Sequence, residues 1–281
     1  MALQIASLNS GSNANCYFIG NKNESILIDA GLSCRETERR MLKLGLDMAQ
    51  LNAIFITHEH SDHISGLETI SKKYKLPVYI TSNTLRSSRL RIDNSLIRSF
   101  EDGKAINVGE LEILPFSKSH DAWDPHSFVI KHKSIHIGVI TDIGYACKNV
   151  IKHFKLCDAV FLETNYCDEM LESGSYPRVL KKRISGRKGH LSNDQALQLF
   201  LKHKPANLQL LILSHLSENN NHPDKVNALF SKNAGDVRIV IASRDGESEL
   251  FAVERAFNRL VTKRNNKLVV NKQQLSLFDF K

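Results

Sequence analysis

Three imidazoles and the Asp62 carboxylate fall within six residues in the run Thr57-His58-Glu59-His60-Ser61-Asp62-His63. Imidazole nitrogen and carboxylate oxygen suit zinc, manganese or iron. Side chains at i, i+2 and i+4 converge on one side of an extended segment. The chemistry available to such a set is metal-assisted hydrolysis. The preceding Leu51-Asn52-Ala53-Ile54-Phe55-Ile56 reads as a buried strand, so these groups leave one strand end on a short, surface-facing loop.

Further polar groups stand at the ends of other hydrophobic runs, where a lone one is most often structural. His120 comes after Phe116-Ser117-Lys118-Ser119, Asp142 after Ile140-Thr141, Glu163 after Phe161-Leu162, and His215 after Leu213-Ser214. Strands are expected at Gln4 to Leu8, Cys16 to Ile19, Ile26 to Asp29, Val78 to Thr81, Glu112 to Pro115, Phe128 to Lys131, His136 to Thr141, Ala159 to Glu163, Gln209 to Leu213, Val237 to Ala242 and Glu249 to Val253. Lys133-Ser134 reads as a hairpin turn. Capping-box spacing at Ser33/Glu36 and Ser192/Gln195 opens helices running to about Leu44 and His203. Two more helices are expected near Leu67 to Tyr74 and Lys148 to Phe154. This alternation fits an α/β fold in which two sheets lie between helix layers.

A chain of 281 residues, 42% of them hydrophobic, is long enough for one sizeable core. It has no apolar run of about 18 residues and no signal-peptide pattern at Met1-Ala2-Leu3-Gln4-Ile5, so a cytoplasmic protein without a membrane span is expected. The five cysteines include no C-x-x-C pair, which argues against a disulfide framework and a zinc knuckle. Net charge is +8, a balance that favours a polyanionic partner. The excess is uneven: Arg178, Lys181, Lys182, Arg183, Arg187 and Lys188 crowd before Gly189-His190, and Arg86, Arg89, Arg91 and Arg98 form a looser group.

The H-x-H-x-D-H string resembles the signature of the metallo-β-lactamase superfold, with His120 and Asp142 in the order of its next two ligand motifs. Three strings narrow the likeness: Ser7 to Cys16, Ile28-Asp29-Ala30-Gly31-Leu32-Ser33, and His120-Asp121-Ala122-Trp123-Asp124-Pro125-His126. Over about residues 2 to 255 they resemble the YycJ/WalJ-type nucleases of that fold. The resemblance implies a four-layer αββα sandwich and a metal-dependent 5′-to-3′ exonuclease on double-stranded DNA, acting at duplex ends or nicks in repair or replication. It also implies two divalent ions, zinc or manganese: His58, His60 and His120 for the first, Asp62 and His63 for the second, and Asp142 bridging them. A water shared between the ions would ionise near neutral pH and attack phosphorus.

Glu163, Gly189-His190-Leu191-Ser192 and Leu213-Ser214-His215-Leu216-Ser217 resemble later motifs of tRNA 3′-processing relatives. By that likeness His215 would protonate the leaving oxygen or contact a phosphate oxygen, with Glu163 orienting a histidine. The terminal histidine of many relatives is missing, since Ser243-Arg244-Asp245-Gly246 stands there. Fewer protein ligands plus water are expected at the second ion, ahead of recruitment of His215 or Asp245. His190, just before a helix start, is a candidate phosphate contact. The segment Asn9 to Asn15 reads as a loop whose Ser10, Ser12 and Asn13 could contact a terminal phosphate.

Two other function classes stay open, an RNA-processing nuclease of the same fold and a small-molecule thioester or lactone hydrolase; the basic balance disfavours the second. The intact metal string argues against a non-catalytic recruitment protein. Residues 1–261 are expected to form the catalytic domain and 262–281 a tail. In that tail, Gln274, Leu275, Leu277 and Phe278 of Gln274-Leu275-Ser276-Leu277-Phe278 resemble the peptide by which bacterial proteins dock onto the DNA polymerase sliding clamp.

Overall fold

A computed structural model describes residues 2–255. Its two sheets follow one plan. The first comprises β1 (Leu3–Gly11), β2 (Ala14–Gly20), β3 (Ser25–Ile28), β4 (Leu51–Phe55), β5 (Val78–Tyr79) and β6 (Ile97–Arg98). The second comprises β7 (Ile106–Val108), β8 (Leu111–Ser117), β9 (His126–His132), β10 (Ile135–Ile140), β11 (Ala159–Glu163), β12 (Leu210–Ser214) and β13 (Arg238–Ile241). A last strand, β14 (Phe251–Val253), returns to the first sheet beside β1.

The orders are β14-β1-β2-β3-β4-β5-β6 and β13-β12-β11-β10-β9-β8-β7. In the first sheet, pairing is antiparallel from β14 to β3 and parallel from β3 to β6. In the second it is antiparallel from β7 to β10 and parallel from β10 to β13.

Apolar side chains of both sheets meet in a shared core that includes Ile5, Tyr17, Phe55, Phe128, Phe161 and Ile212. The outer face of the first sheet is covered by α1 (Cys34–Lys43), α2 (Ser61–Ile64) and α3 (Leu67–Tyr74), with α4 (Ser82–Ser88) beyond them. Outside the second sheet pack α5 (Lys148–Phe154), α8 (Asn193–His203) and α9 (Pro223–Ser231), while α6 (Asp168–Ser173) and α7 (Arg178–Ile184) lie in the connection from β11 to α8. The result is the four-layer αββα sandwich expected from the sequence. Strands such as β2, β3, β4 and β11 are buried along almost their whole length, because helices lie on one face and the other sheet on the opposite face.

Local expectations fare unevenly. The capping box at Ser192 and Gln195 forms in full. At α1 only half of one forms: Ser33 accepts from the Glu36 N–H, while the Glu36 carboxylate turns to Arg39 and Arg40. The Asn9 to Asn15 segment is not a loop. β1 runs on to Gly11 and β2 starts at Ala14, so only Ser12 and Asn13 form the turn. The metal run is not extended throughout either, since it turns into α2 after His60. Only its middle faces the surface, with Ser61 exposed and His60 and Asp62 partly so, because His58 and His63 are fully buried. No helix of the described residues is long and apolar enough to cross a membrane. The expected boundary at 261 and the peptide Gln274 to Phe278 lie outside the described residues.

Candidate metal centre

The site lies at the carboxyl ends of strands where each sheet changes from antiparallel to parallel pairing, the place where backbone connections diverge and leave room for side chains. Asp29, just past β3, has a φ of 61° and is fully buried. Its carboxylate accepts from the Thr57 N–H at 2.8 Å and the Thr57 hydroxyl at 2.8 and 3.0 Å, locking the end of β4 to that of β3. It also accepts from His63 Nδ1 at 2.7 Å. Gly31 leaves the space for this turn, since a Cβ there would stand 1.8 Å from the Asp62 carbonyl oxygen.

These contacts fix which imidazole nitrogens carry lone pairs. The single Thr57 hydroxyl proton goes to Asp29, so its oxygen accepts from His58 Nδ1 at 2.8 Å. His58 Nε2 is then left as an acceptor, 3.1 Å from His60 Nδ1. His120 Nδ1 donates to the Gly189 carbonyl at 3.0 Å, which turns its Nε2 inward. His63 Nδ1 is spent on Asp29, and its Nε2 lies 3.3 Å from Asp62 Oδ2 and 3.4 Å from Asp142 Oδ2. Asn15 Nδ2 donates to Asp62 Oδ2 at 3.0 Å. Imidazoles held at one nitrogen by an acceptor and bare at the other are the usual preparation for metal ligation.

Glu163 does the same on the opposite side. Its Oε1 accepts from His190 Nδ1 at 2.7 Å and His215 Nδ1 at 3.1 Å. Its Oε2 accepts from the N–H groups of Ile143 at 2.6 Å and Leu191 at 3.2 Å. Asp142, with a φ of 53°, reaches both halves: it stands 3.8 Å from His120 Nε2 and 3.3 Å from His215 Nδ1.

Ligand atoms of His58, His60 and His120 lie within 4.8 Å of one another, as do those of Asp62, His63 and His215. Asp142 forms a further group with His58 and His63, and another with Glu163, His190 and His215. His120 Nε2, Asp142 Oδ2 and His215 Nε2 are buried without a hydrogen-bond partner. Such orphans are costly unless something occupies the space between them. The nitrogen and carboxylate donors around them fit a pair of divalent ions of the zinc or manganese type.

Electrostatics agree with a site built for cations. Burial opposes charge on His215 and His63, but Asp142 and Asp62 outweigh it and hold the His215 pKa up at about 10, with that of His63 well above its ordinary value. Burial would likewise raise Asp142, yet His215 and His63 keep it well below the carboxylate range. His120, dominated by burial, falls to about 4. Without ions, protonated imidazoles offset the carboxylates. Ion binding therefore displaces protons.

Six residues expected as ligands from the sequence, His58, His60, Asp62, His63, His120 and Asp142, are thus brought together, and Glu163 meets both His190 and His215. The placement departs from the expectation of few protein ligands at the second ion, because His215 completes a group with Asp62 and His63. Asp245 is exposed and belongs to none of these groups. Ser10 is also displaced from its expected role. It is fully buried, bonded to the Tyr17 hydroxyl at 2.8 Å and accepting from the His215 N–H at 2.8 Å, out of reach of a phosphate. Asn13 is exposed, but its side chain spans Asn9 and the Arg244 carbonyl.

Ser12 and His190 instead line a cavity of about 290 Å³ with Tyr176, Leu180, Arg183 and Ser217. Asp29, Asn15 and the buried Lys118, whose Nζ donates to the Thr141 carbonyl at 2.8 Å, were not singled out from the sequence. The Asp-x-Gly after a hydrophobic strand at Ile28-Asp29-Ala30-Gly31, which is repeated at Asp142-Ile143-Gly144, was the one available signal for Asp29.

Comparison with known proteins places this geometry among relatives. Residues 24–215 match the family model of the Beta-lactamase superfamily domain. The chain is 34% identical over 226 residues to exodeoxyribonuclease YycJ of Bacillus anthracis, covering 79% of this chain and 85% of that one. It is 31% identical over 259 residues to exodeoxyribonuclease WalJ of Streptococcus pneumoniae, covering 88% and 96%. Among solved structures, the metallo-β-lactamase-fold protein YhfI of Bacillus subtilis superposes with a TM-score of 0.70 at 16% identity, over 89% of this chain and 99% of that one.

Proposed function

Because the chain belongs to the β-lactamase superfamily, as a metal-dependent hydrolase related to the YycJ/WalJ exodeoxyribonucleases, we propose that it is a 5′-to-3′ exonuclease on double-stranded DNA, working at ends or nicks during repair or replication. The observation that carries this reading is the meeting of two histidine and carboxylate groups around Asp142 beside a cavity of about 290 Å³. That space is at the lower limit for small-molecule sites and is in scale with one nucleotide rather than a bulky ligand.

In this reading His58, His60 and His120 would hold one ion and Asp62, His63 and His215 the other, with Asp142 within reach of both groups. The ions, zinc or manganese, would supply positive charge to phosphate oxygens and lower the pKa of water. The remaining work belongs to the chain. Glu163 fixes the rings of His190 and His215. His215, only 2% exposed and turned toward Asp62, is better placed as a ligand than as a proton donor. His190, whose side chain is 23% exposed and lines the cavity, becomes the group that passes a proton to the leaving oxygen through Nε2, since its Nδ1 is committed to Glu163. Ser12 and the N–H groups of Arg183 not taken by Asp121 face the incoming phosphate.

The test is incubation of purified protein with end-labelled single- and double-stranded DNA and RNA, each with a 5′-phosphate or 5′-hydroxyl, under manganese, magnesium or zinc. Stepwise release of nucleotides from the 5′ ends of duplex DNA is expected, and its loss in Asp62→Ala or His60→Ala. Cleavage confined to RNA, or substantial activity in metal-reconstituted Asp62→Ala, would overturn the assignment. Docking of the sliding clamp on Gln274 to Phe278 remains part of the proposal on sequence grounds alone.

A further inference from the structure

Trp123 is the chain's single tryptophan, and it stands 79% exposed on a loop that is otherwise tightly held. Its backbone N–H donates to Oε1 of Glu59, inside the metal run, at 2.9 Å. Asp121, two residues earlier, accepts from Arg183 Nε of α7 at 2.6 Å. Asp124, the next residue, accepts from Asn83 Nδ2 of α4 at 3.3 Å, and its carbonyl accepts from the Thr84 hydroxyl at 3.4 Å. Asn83 in turn takes the Arg86 guanidinium at 2.6 Å. The indole is therefore carried by a loop braced between the two basic segments of the chain, three residues beyond His120.

Isolated exposed apolar side chains are common and need no partner. Leu42, at 76% exposed near the end of α1, is one of these. Trp123 differs in position and in size, and the acidic residues near it on the loop, Asp121 and Asp124, bind the segments that carry Arg183 and Arg86. An aromatic face between basic side chains that follow a phosphate backbone is the arrangement that binds single-stranded nucleic acid. A base inside a duplex has both faces covered by its neighbours, so an indole at the rim of a site can reach a base face only at an end or an unpaired nucleotide.

Resting on the exonuclease reading, we propose that Trp123 is a stacking platform for a nucleobase, and that the substrate it selects is a nucleic-acid end whose terminal base is unpaired. Arg183 and Arg86 flank it to take the adjoining phosphates. The ion-binding residues then act on a strand already separated from its complement.

The sole indole reports its own occupancy. The metal-loaded enzyme is titrated with duplexes whose terminal linkages are phosphorothioates, one set with a frayed end and one blunt and fully paired. Saturable quenching of indole fluorescence by the frayed duplex, at lower concentration than by the blunt one, is expected. Trp123→Ala should weaken binding of the frayed duplex roughly 5- to 150-fold, the range for loss of one base–aromatic stack, while Trp123→Phe keeps most of the affinity. Melting curves for both variants check that the fold is unchanged. Cleavage of the unmodified duplexes by the wild type, without quenching by the phosphorothioate ones, overturns the stacking proposal and leaves the exonuclease reading standing; quenching without cleavage of the unmodified duplexes does the reverse. Wild-type affinity in Trp123→Ala, or equal affinity for frayed and blunt ends, also overturns the proposal.

Discussion

Replacing Glu163 by glutamine tests how the centre sets its imidazoles. The carboxylate is fully buried and takes four donors on two oxygens: His190 and His215 on Oε1, and the N–H groups of Ile143 and Leu191 on Oε2. Glutamine has the same shape but one of its two terminal atoms is a donor. The backbone N–H groups cannot change, so the amide oxygen must stay with Ile143 and Leu191 and the NH₂ must face the rings. His215 and His190 then accept at Nδ1 and carry their protons on Nε2. A proton on His215 Nε2 removes the lone pair that completes the group with Asp62 and His63. Loss of such an orienting partner costs about 10- to 100-fold in metal affinity, or about 1.4 to 2.7 kcal/mol. The loss should fall on one of two ions, because His58 and His120 draw their orientation from Thr57 and Gly189, and His60 contacts His58 rather than Glu163. Competition with a chromophoric chelator reads both affinities, and phosphodiester cleavage should decline in parallel. Two ions bound as tightly in Glu163→Gln as in the wild type, with unchanged cleavage, would refute the tautomer argument.

Lys182 and Lys188 are exposed beside the centre; neutralising both should reduce the slope of log K against log salt for duplex DNA by about 0.9 for each phosphate that they engage, and an unchanged slope assigns them to solvent. His153 is buried and stacked on Phe116 at 4.2 Å, and burial, with Lys152, lowers its pKa to about 4. Between that value and the unfolded value of about 6.5 the unfolded chain binds the extra proton, so this contribution is complete above pH ~6.5 and is lost as pH falls toward ~4. It amounts to at most about 3 kcal/mol. Urea unfolding of His153→Gln should show a shallower fall in stability across that window than the wild type, and parallel curves would refute it. Calorimetric titration of the cognate sliding clamp should give binding by the full chain and none by the Leu277→Ala, Phe278→Ala double variant; equal binding by both removes the tail from the proposal.

What could be read from the sequence depended on how far apart the cooperating groups lie. His58, His60, Asp62 and His63 announce themselves because four donors are nearly contiguous after a hydrophobic strand, and His120 and Asp142 follow in a recognisable order. Asp29 acts on residues 28 and 34 positions away, and Asn15 on one 47 positions away, so neither could be linked to the centre by local spacing. Ser10 misled for a related reason. Small hydrogen-bonding residues look alike in a loop and in a strand, and only the continuation of β1 to Gly11 shows that Ser10 is spent on Tyr17 and His215. The helix α4, with the sequence Ser82-Asn83-Thr84-Leu85-Arg86-Ser87-Ser88, is made largely of weak helix formers, and its hydrogen bonds to the Trp123 loop help to position it.

The duplicated plan of the sheets explains why Asp29 and Asp142 share a local sequence while facing different tasks. β3 and β10 are each the strand at which antiparallel pairing gives way to parallel pairing. Each is followed by an aspartate with positive φ and, two residues on, by a glycine against which another segment packs. A Cβ on Gly31 would stand 1.8 Å from the Asp62 carbonyl oxygen, and one on Gly144 would stand 2.2 Å from that of Arg187. The same turn therefore seats the α2 segment with Asp62 and His63 in one half, and the segment leading from α7 to His190 in the other. Asp29 faces the back of His63 and sets its tautomer, whereas Asp142 faces the space between the two groups. The centre is asymmetric because Thr57 and His63 occupy the carboxylate of the first turn, leaving that of the second free to serve the ions.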